Sequence, residues 1–177
     1  MKSRWILAVL VGVVGVGVSV GNVLATPSSG QTTTILAKAT IPDLDLSGRV
    51  ETTVTGPKGK PRPGVWLAKI KTRGSSDAYV VDNKFAANGG TSGWHSHPGP
   101  SLVFVVAGTI TNYSSDDPSC APHVYTAGQS FVDPGGNDEH MLRNEDPTVV
   151  AETIAVQLVA AGATRRIDEP APAGCPS

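Results

Sequence analysis

From Gly48 to Val159 the chain repeats one pattern: a short run rich in β-branched and apolar residues, then a cluster of glycine, proline or small polar residues. The runs are Gly48–Thr55, Val65–Lys71, Ala78–Asp82, Ser101–Tyr113, Ser130–Asp133, His140–Arg143 and Thr148–Val159. Gly56-Pro57-Lys58-Gly59, Gly74-Ser75-Ser76, Asn88-Gly89-Gly90, Asp116-Asp117-Pro118 and Pro134-Gly135-Gly136 punctuate them. Nothing between Thr26 and Val159 sustains the apolar period of a long amphipathic helix, and Val149-Val150 with Ile154-Ala155-Val156 favours a strand at the end of this stretch. Several short strands at regular spacing, in a chain with 20 Gly and 14 Pro, imply an all-β sandwich or barrel of antiparallel sheets. Pro61 and Pro63 speak against a regular element around them, and Ala107-Gly108 reads as the tip of a hairpin.

The ends read differently. Lys2 and Arg4 precede an almost wholly apolar stretch, Trp5 to Val20, and Val23-Leu24-Ala25 offers small residues before Thr26. This is the pattern of an export signal over residues 1–25, cleaved near Ala25, which places the mature protein outside the cytoplasm, secreted or in the cell envelope. The competing reading is a retained membrane anchor, since the stretch is long enough to span a bilayer of ~30 Å; with cleavage no stable membrane span remains. Residues 26–40 read as a flexible arm, 41–165 as one barrel domain and 166–177 as a Pro-rich tail in coil.

In an exported chain the two cysteines, Cys120 and Cys175, read as one disulfide, with two free thiols as the alternative. Such a bridge closes a loop of roughly 55 residues, worth about 4 kcal/mol in the chain-entropy treatment. The net charge is −1, with no block of one sign, which gives no reason to expect nucleic acid as a partner. A Gly-x-Ser-x-Gly elbow and a phosphate-binding glycine loop are both missing from the sequence.

The chemistry concentrates in two segments. The first is Gly89-x5-His95-x-His97-x10-Gly108. Residues two apart on a strand share a face, so His95 and His97 both aim into a barrel, about 7 Å apart at Cα, a separation that two ligands on one ion tolerate. The second is Gly128-x5-Pro134-x-Gly136-x3-His140-x3-Asn144, in which His140 opens a returning strand and offers a third imidazole.

These segments resemble, in order, the two characteristic motifs of the cupin superfamily, in which a His-x-His pair, a later Glu and a His of the second motif hold a metal. The resemblance covers Gly89 to Asn144 and implies a double-stranded β-helix, a jelly-roll-like barrel of two antiparallel sheets. It implies metal ligation by His95, His97 and His140 of a divalent ion such as Fe, Mn, Ni, Cu or Zn. Two departures stand out. The position of the family's Glu is occupied by Ser101, a poor ligand, and three residues rather than two separate Gly136 from His140.

Three neutral imidazoles leave a divalent ion its full charge and open positions, which suits a small organic anion as ligand or substrate. Asp138 is a candidate fourth ligand if the strand of His140 begins early; Glu139 points away. His123 reads as a loop residue, Trp94 as pocket mouth or barrel-end packing, and Phe104 as facing either way. The functional expectation is an exported metal-binding barrel, an enzyme of the mononuclear oxidoreductase or dioxygenase kind. The alternatives are a binding protein with a degenerate or empty metal site, and an envelope-associated protein that acts through a homodimer interface.

Overall fold

The computed structural model describes residues 24–177. The expected signal or anchor, apart from its last two residues, lies outside the described residues. Among the described residues no helix is long and apolar enough to cross a membrane.

Among the described residues twelve strands follow one another: β1 (Gln31–Ile41), β2 (Asp45–Thr55), β3 (Pro61–Lys71), β4 (Ser76–Phe85), β5 (His95–Ser96), β6 (Ser101–Ala107), β7 (Thr109–Ser114), β8 (His123–Thr126), β9 (Ser130–Asp133), β10 (His140–Arg143), β11 (Ala151–Ala160) and β12 (Ile167–Asp168). One sheet runs β1-β4-β11-β6-β9 and a second runs β12-β5-β10-β7-β8, while β2 and β3 form a separate two-stranded ribbon. All pairings are antiparallel.

Alternation makes the two five-stranded sheets face each other. On β6, Ser101, Val103 and Val105 are buried while Leu102, Phe104 and Val106 are exposed. On β11 the buried set is Ala151, Thr153, Ala155, Gln157 and Val159. Phe85, Val105 and Ala151 from the first sheet pack with Ile110 and Leu142 from the second, which closes one end of the interior with apolar side chains.

The structure corrects several expectations about the chain's course. Residues 31–40 of the supposed flexible arm form all but the last residue of β1, which pairs with the whole of β4 at the edge of the first sheet. Asp77 fastens this edge: its carboxylate accepts from Thr40 Oγ1 at 2.6 Å and meets Lys38 Nζ at 3.0 Å. Upstream, Thr26 donates its backbone N–H to the Glu169 carbonyl at 2.9 Å and accepts from the Trp94 N–H at 2.7 Å. Composition suggested coil because Thr is as common in edge strands as in linkers. The barrel therefore takes in residues on both sides of 41–165. Pro61 and Pro63 lie within β3, opposite Thr55 and Thr53; a two-stranded ribbon leaves alternate N–H positions facing solvent, where proline costs no ladder bond.

Gly108 is no hairpin tip. β6 pairs with β11 and β9, whereas β7 pairs with β10 and β8, so the chain passes from one sheet to the other at Gly108. Its φ of 67° and a backbone so close that a Cβ would lie 2.6 Å from the Val150 carbonyl oxygen both require glycine. The tail beyond 165 is also ordered by pairing. Ile167 and Asp168 form β12 against Ser96 and His95, and the Cys120–Cys175 disulfide ties the end down. Trp94, buried with Cys120 and Met141, donates from Nε1 to the Pro176 carbonyl at 2.7 Å, so it packs the barrel end rather than the pocket mouth. Phe104 faces outward.

Candidate metal centre

His95 lies on β5 directly opposite His140 on β10. Partners across an antiparallel pair share a face, with Cβ atoms ~4.5–5.5 Å apart. His97, two residues on, joins them. The ring centroids of His95 and His140 are 4.4 Å apart, those of His95 and His97 are 4.8 Å and those of His97 and His140 are 5.7 Å. One ligand atom from each lies within 4.8 Å of the other two, and all three residues are buried.

The backbone fixes two of the rings. His95 Nδ1 is 2.9 Å from the Gly93 carbonyl and His97 Nδ1 is 2.7 Å from the Arg165 carbonyl. A carbonyl only accepts, so both imidazoles carry the proton on Nδ1 and present the Nε2 lone pair to the cavity. This is the arrangement by which outer hydrogen bonds orient metal-ligating histidines. Burial holds all three imidazoles below their ordinary value; for His95 and His140 the neighbouring imidazoles and the Arg166 guanidinium reinforce it, and His140 falls to about 3. Neutral imidazoles are the ligating form.

The loops on either side lock together. The Gly136 N–H donates to the His97 carbonyl at 2.7 Å, and Gly135, at φ 72°, packs so tightly that a Cβ would lie 2.3 Å from the Gly99 oxygen. The turn after His97 and the turn before His140 thus touch where Gly135 packs on Gly99 and Gly136 bonds to His97. Asn144, wholly buried, brings its amide within hydrogen-bond distance of the carbonyls of Phe85, Ala86 and Val149 and anchors the far end of β10.

The first sheet supplies the opposite wall with residues that the sequence pattern did not single out. Gln157 on β11 donates to Ser101 Oγ at 3.0 Å, lies 3.3 Å from His97 Nε2, and accepts from Arg165 at 2.8 Å. Asp133 on β9, opposite Ser101 on β6, places Oδ2 at 3.9 Å from both His97 Nε2 and His140 Nε2. A glutamine and an aspartate at inward positions of apolar strands were the available signal. Asp138 is not brought to the cluster. β10 begins only at His140, and the Asp138 carboxylate accepts from Ser114 Oγ at 3.1 Å. His123 opens β8, exposed beside Asp117 at 3.9 Å and away from the cluster.

A cavity of about 260 Å³ opens over the histidines, lined also by Ser101, Gln157, Arg165 and Arg166. Two antiparallel sheets closed around a buried three-imidazole cluster define a double-stranded β-helix with a site able to hold a metal ion. Residues 84–156 match the family described as the cupin domain.

Similar solved structures include a cupin-like protein from Thermotoga maritima, 20% identical over 52% of this chain and 65% of that one, with a TM-score of 0.44. They also include an oxalate oxidase in complex with the substrate analogue glycolate, 24% identical over 51% of this chain and 45% of that one, TM-score 0.43. A DMSP lyase from Ruegeria pomeroyi is 18% identical over 51% of this chain and 42% of that one, TM-score 0.43. The chain spans less than two thirds of the length of each of these three proteins. No curated protein matches.

Proposed function

We propose that this chain is an exported metal-dependent cupin that binds a small organic anion, with the chemistry of a mononuclear oxidoreductase of the dioxygenase kind. The observation that carries the reading is the convergence of three buried, neutral imidazoles, two of them fixed by backbone carbonyls with Nε2 facing inward. The residues present suit a divalent ion. His140 Nε2 and Asp133 Oδ2 are buried with no hydrogen-bond partner, a costly state that a cation between them relieves. His95, His97 and His140 hold the ion in this reading. When bound, the ion supplies a Lewis acid and, if redox-active, an electron relay.

The surrounding residues read the ligand. Arg165 lines the cavity, makes no ion pair among the described residues and is steered by Gln157. A half-buried guanidinium without a carboxylate partner is a site for an anionic group. Arg166 adds positive charge while anchored to Asp168 at 2.7 Å and to the Ser92 carbonyl at 2.6 Å. The Cys120–Cys175 disulfide agrees with an oxidising, extracytoplasmic setting.

The test is the metal content of the full chain, purified without chelator, by elemental mass spectrometry, beside the His95→Ala, His97→Ala double variant. About one equivalent in the wild type and none in the variant is expected, and turnover assays under air with short carboxylates and phenolates follow. No metal after incubation with each candidate ion overturns the proposal. Arg165→Ala in the metal-loaded protein should weaken binding of a short carboxylate about 10- to 100-fold, the weight of one charge-assisted contact.

A further inference from the structure

We infer that Asp133 is a fourth metal ligand, so that the carboxylate absent at position 101 is supplied from the neighbouring strand. The inference rests on the three-histidine reading of the site and adds a residue to it.

Three observations carry it. Ser101 on β6 and Asp133 on β9 are register partners, so both side chains stand on the inner face of the same sheet within about 5 Å of each other at Cβ. The small serine leaves room that the aspartate uses. Asp133 is 3% exposed, and its Oδ1 accepts from the Gly135 N–H at 2.8 Å, which turns Oδ2 toward the imidazoles. Oδ2 itself has no hydrogen-bond partner, and neither has His140 Nε2, 3.9 Å away. His97 Nε2 lies at the same 3.9 Å.

Two ligand atoms bonded at ~2.0–2.2 Å to one ion lie no more than about 4.4 Å apart. Oδ2 already satisfies this limit with two of the three histidines, His97 and His140. Two buried polar atoms that face each other across 3.9 Å, neither with a hydrogen-bond partner, leave a place that a cation between them fills. The same placement accounts for the tolerance of Ser101. Its hydroxyl accepts from Gln157 instead of ligating, and the charge of the donor set is restored by a residue that the first motif does not contain. A buried divalent ion is then left with one positive charge rather than two, and with fewer open positions for an incoming anion.

The test is calorimetric titration of the full chain with Co²⁺ and with Mn²⁺, comparing wild type, Asp133→Asn, Ser101→Ala and the double variant Ser101→Glu, Asp133→Asn. Asp133→Asn should lose affinity about 100-fold, the upper end of what even outer partners of a metal site cost. Ser101→Ala should stay within about threefold of wild type, and the double variant should recover most of the loss. Difference infrared spectra of the wild type, with and without metal, supply a readout that needs no variant: one carboxylate stretch shifts on binding. Undiminished affinity in Asp133→Asn, or an unchanged carboxylate stretch, overturns the inference and leaves the three-histidine site standing. A wild type that takes up no metal overturns both.

Discussion

The barrel and the β2–β3 ribbon are written in the same alternating pattern, yet only one of them buries its apolar face. Along the ribbon, Leu46 pairs with Ile70, Gly48 with Ala68 and Val50 with Trp66, which gathers one apolar face; Asp45 with Lys71 and Ser47 with Lys69 stand on the other. Trp66 nevertheless remains 58% exposed and Leu46 55%. In the barrel the same alternation puts Phe85 at 0% and Val105 at 2%, because a second sheet lies opposite. Alternation specifies a strand; burial is decided by what the topology sets against it.

Substitutions test this difference in order of size. Phe85→Ala should cost about 3–5 kcal/mol in urea unfolding, while Trp66→Ala should cost under about 1 kcal/mol, since it removes little buried surface. Equal costs would mean that the ribbon packs as tightly as the barrel. Gly135→Ala comes next, at about 1–3 kcal/mol, from a left-handed φ and a collision with the Gly99 backbone. It should loosen metal binding as well as the fold, because this contact joins the turns that carry His97 and His140.

The smallest expected effects are electrostatic. Thr40, the Gly162 N–H and Lys38 hold Asp77 down to about 2, below its ordinary 3.8. A depressed carboxylate contributes stability that is fully present above its unfolded value and disappears as pH falls through the folded one. The stability gap between wild type and Asp77→Asn should therefore be constant from pH 5 to 7 and close between about pH 4 and 2. Asp45→Asn breaks an exposed ion pair with Lys71 and should change nothing measurable. A gap that widens on acidification would reverse the assignment at Asp77.

The same contrast between local pattern and topology explains what was legible in the sequence. β9 and β10 appear at their expected bounds, Ser130–Asp133 and His140–Arg143, because short apolar runs between glycine-rich turns announce themselves locally. The three histidines were readable for the same reason: two share a strand face and the third follows a recognisable turn. The wall opposite them was not. Asp133 meets the histidines only through its register with Ser101, Gln157 only through the order β4-β11-β6, and Arg165 contributes a backbone carbonyl that no side-chain pattern reveals. β1 was missed because its register partners lie 35 to 54 residues downstream and its own composition is that of a linker. Asp138, two residues from His140, looked the nearer carboxylate in sequence, but the turn before β10 sends it to Ser114.

The most direct test of the central claim is an anomalous difference map from crystals of the full chain soaked in Co²⁺ or Mn²⁺, collected at the absorption edge of the ion. A single peak about 2.0–2.2 Å from the Nε2 atoms of His95, His97 and His140 is the expected result. A peak elsewhere, or no peak while the three rings keep their present positions, would contradict it.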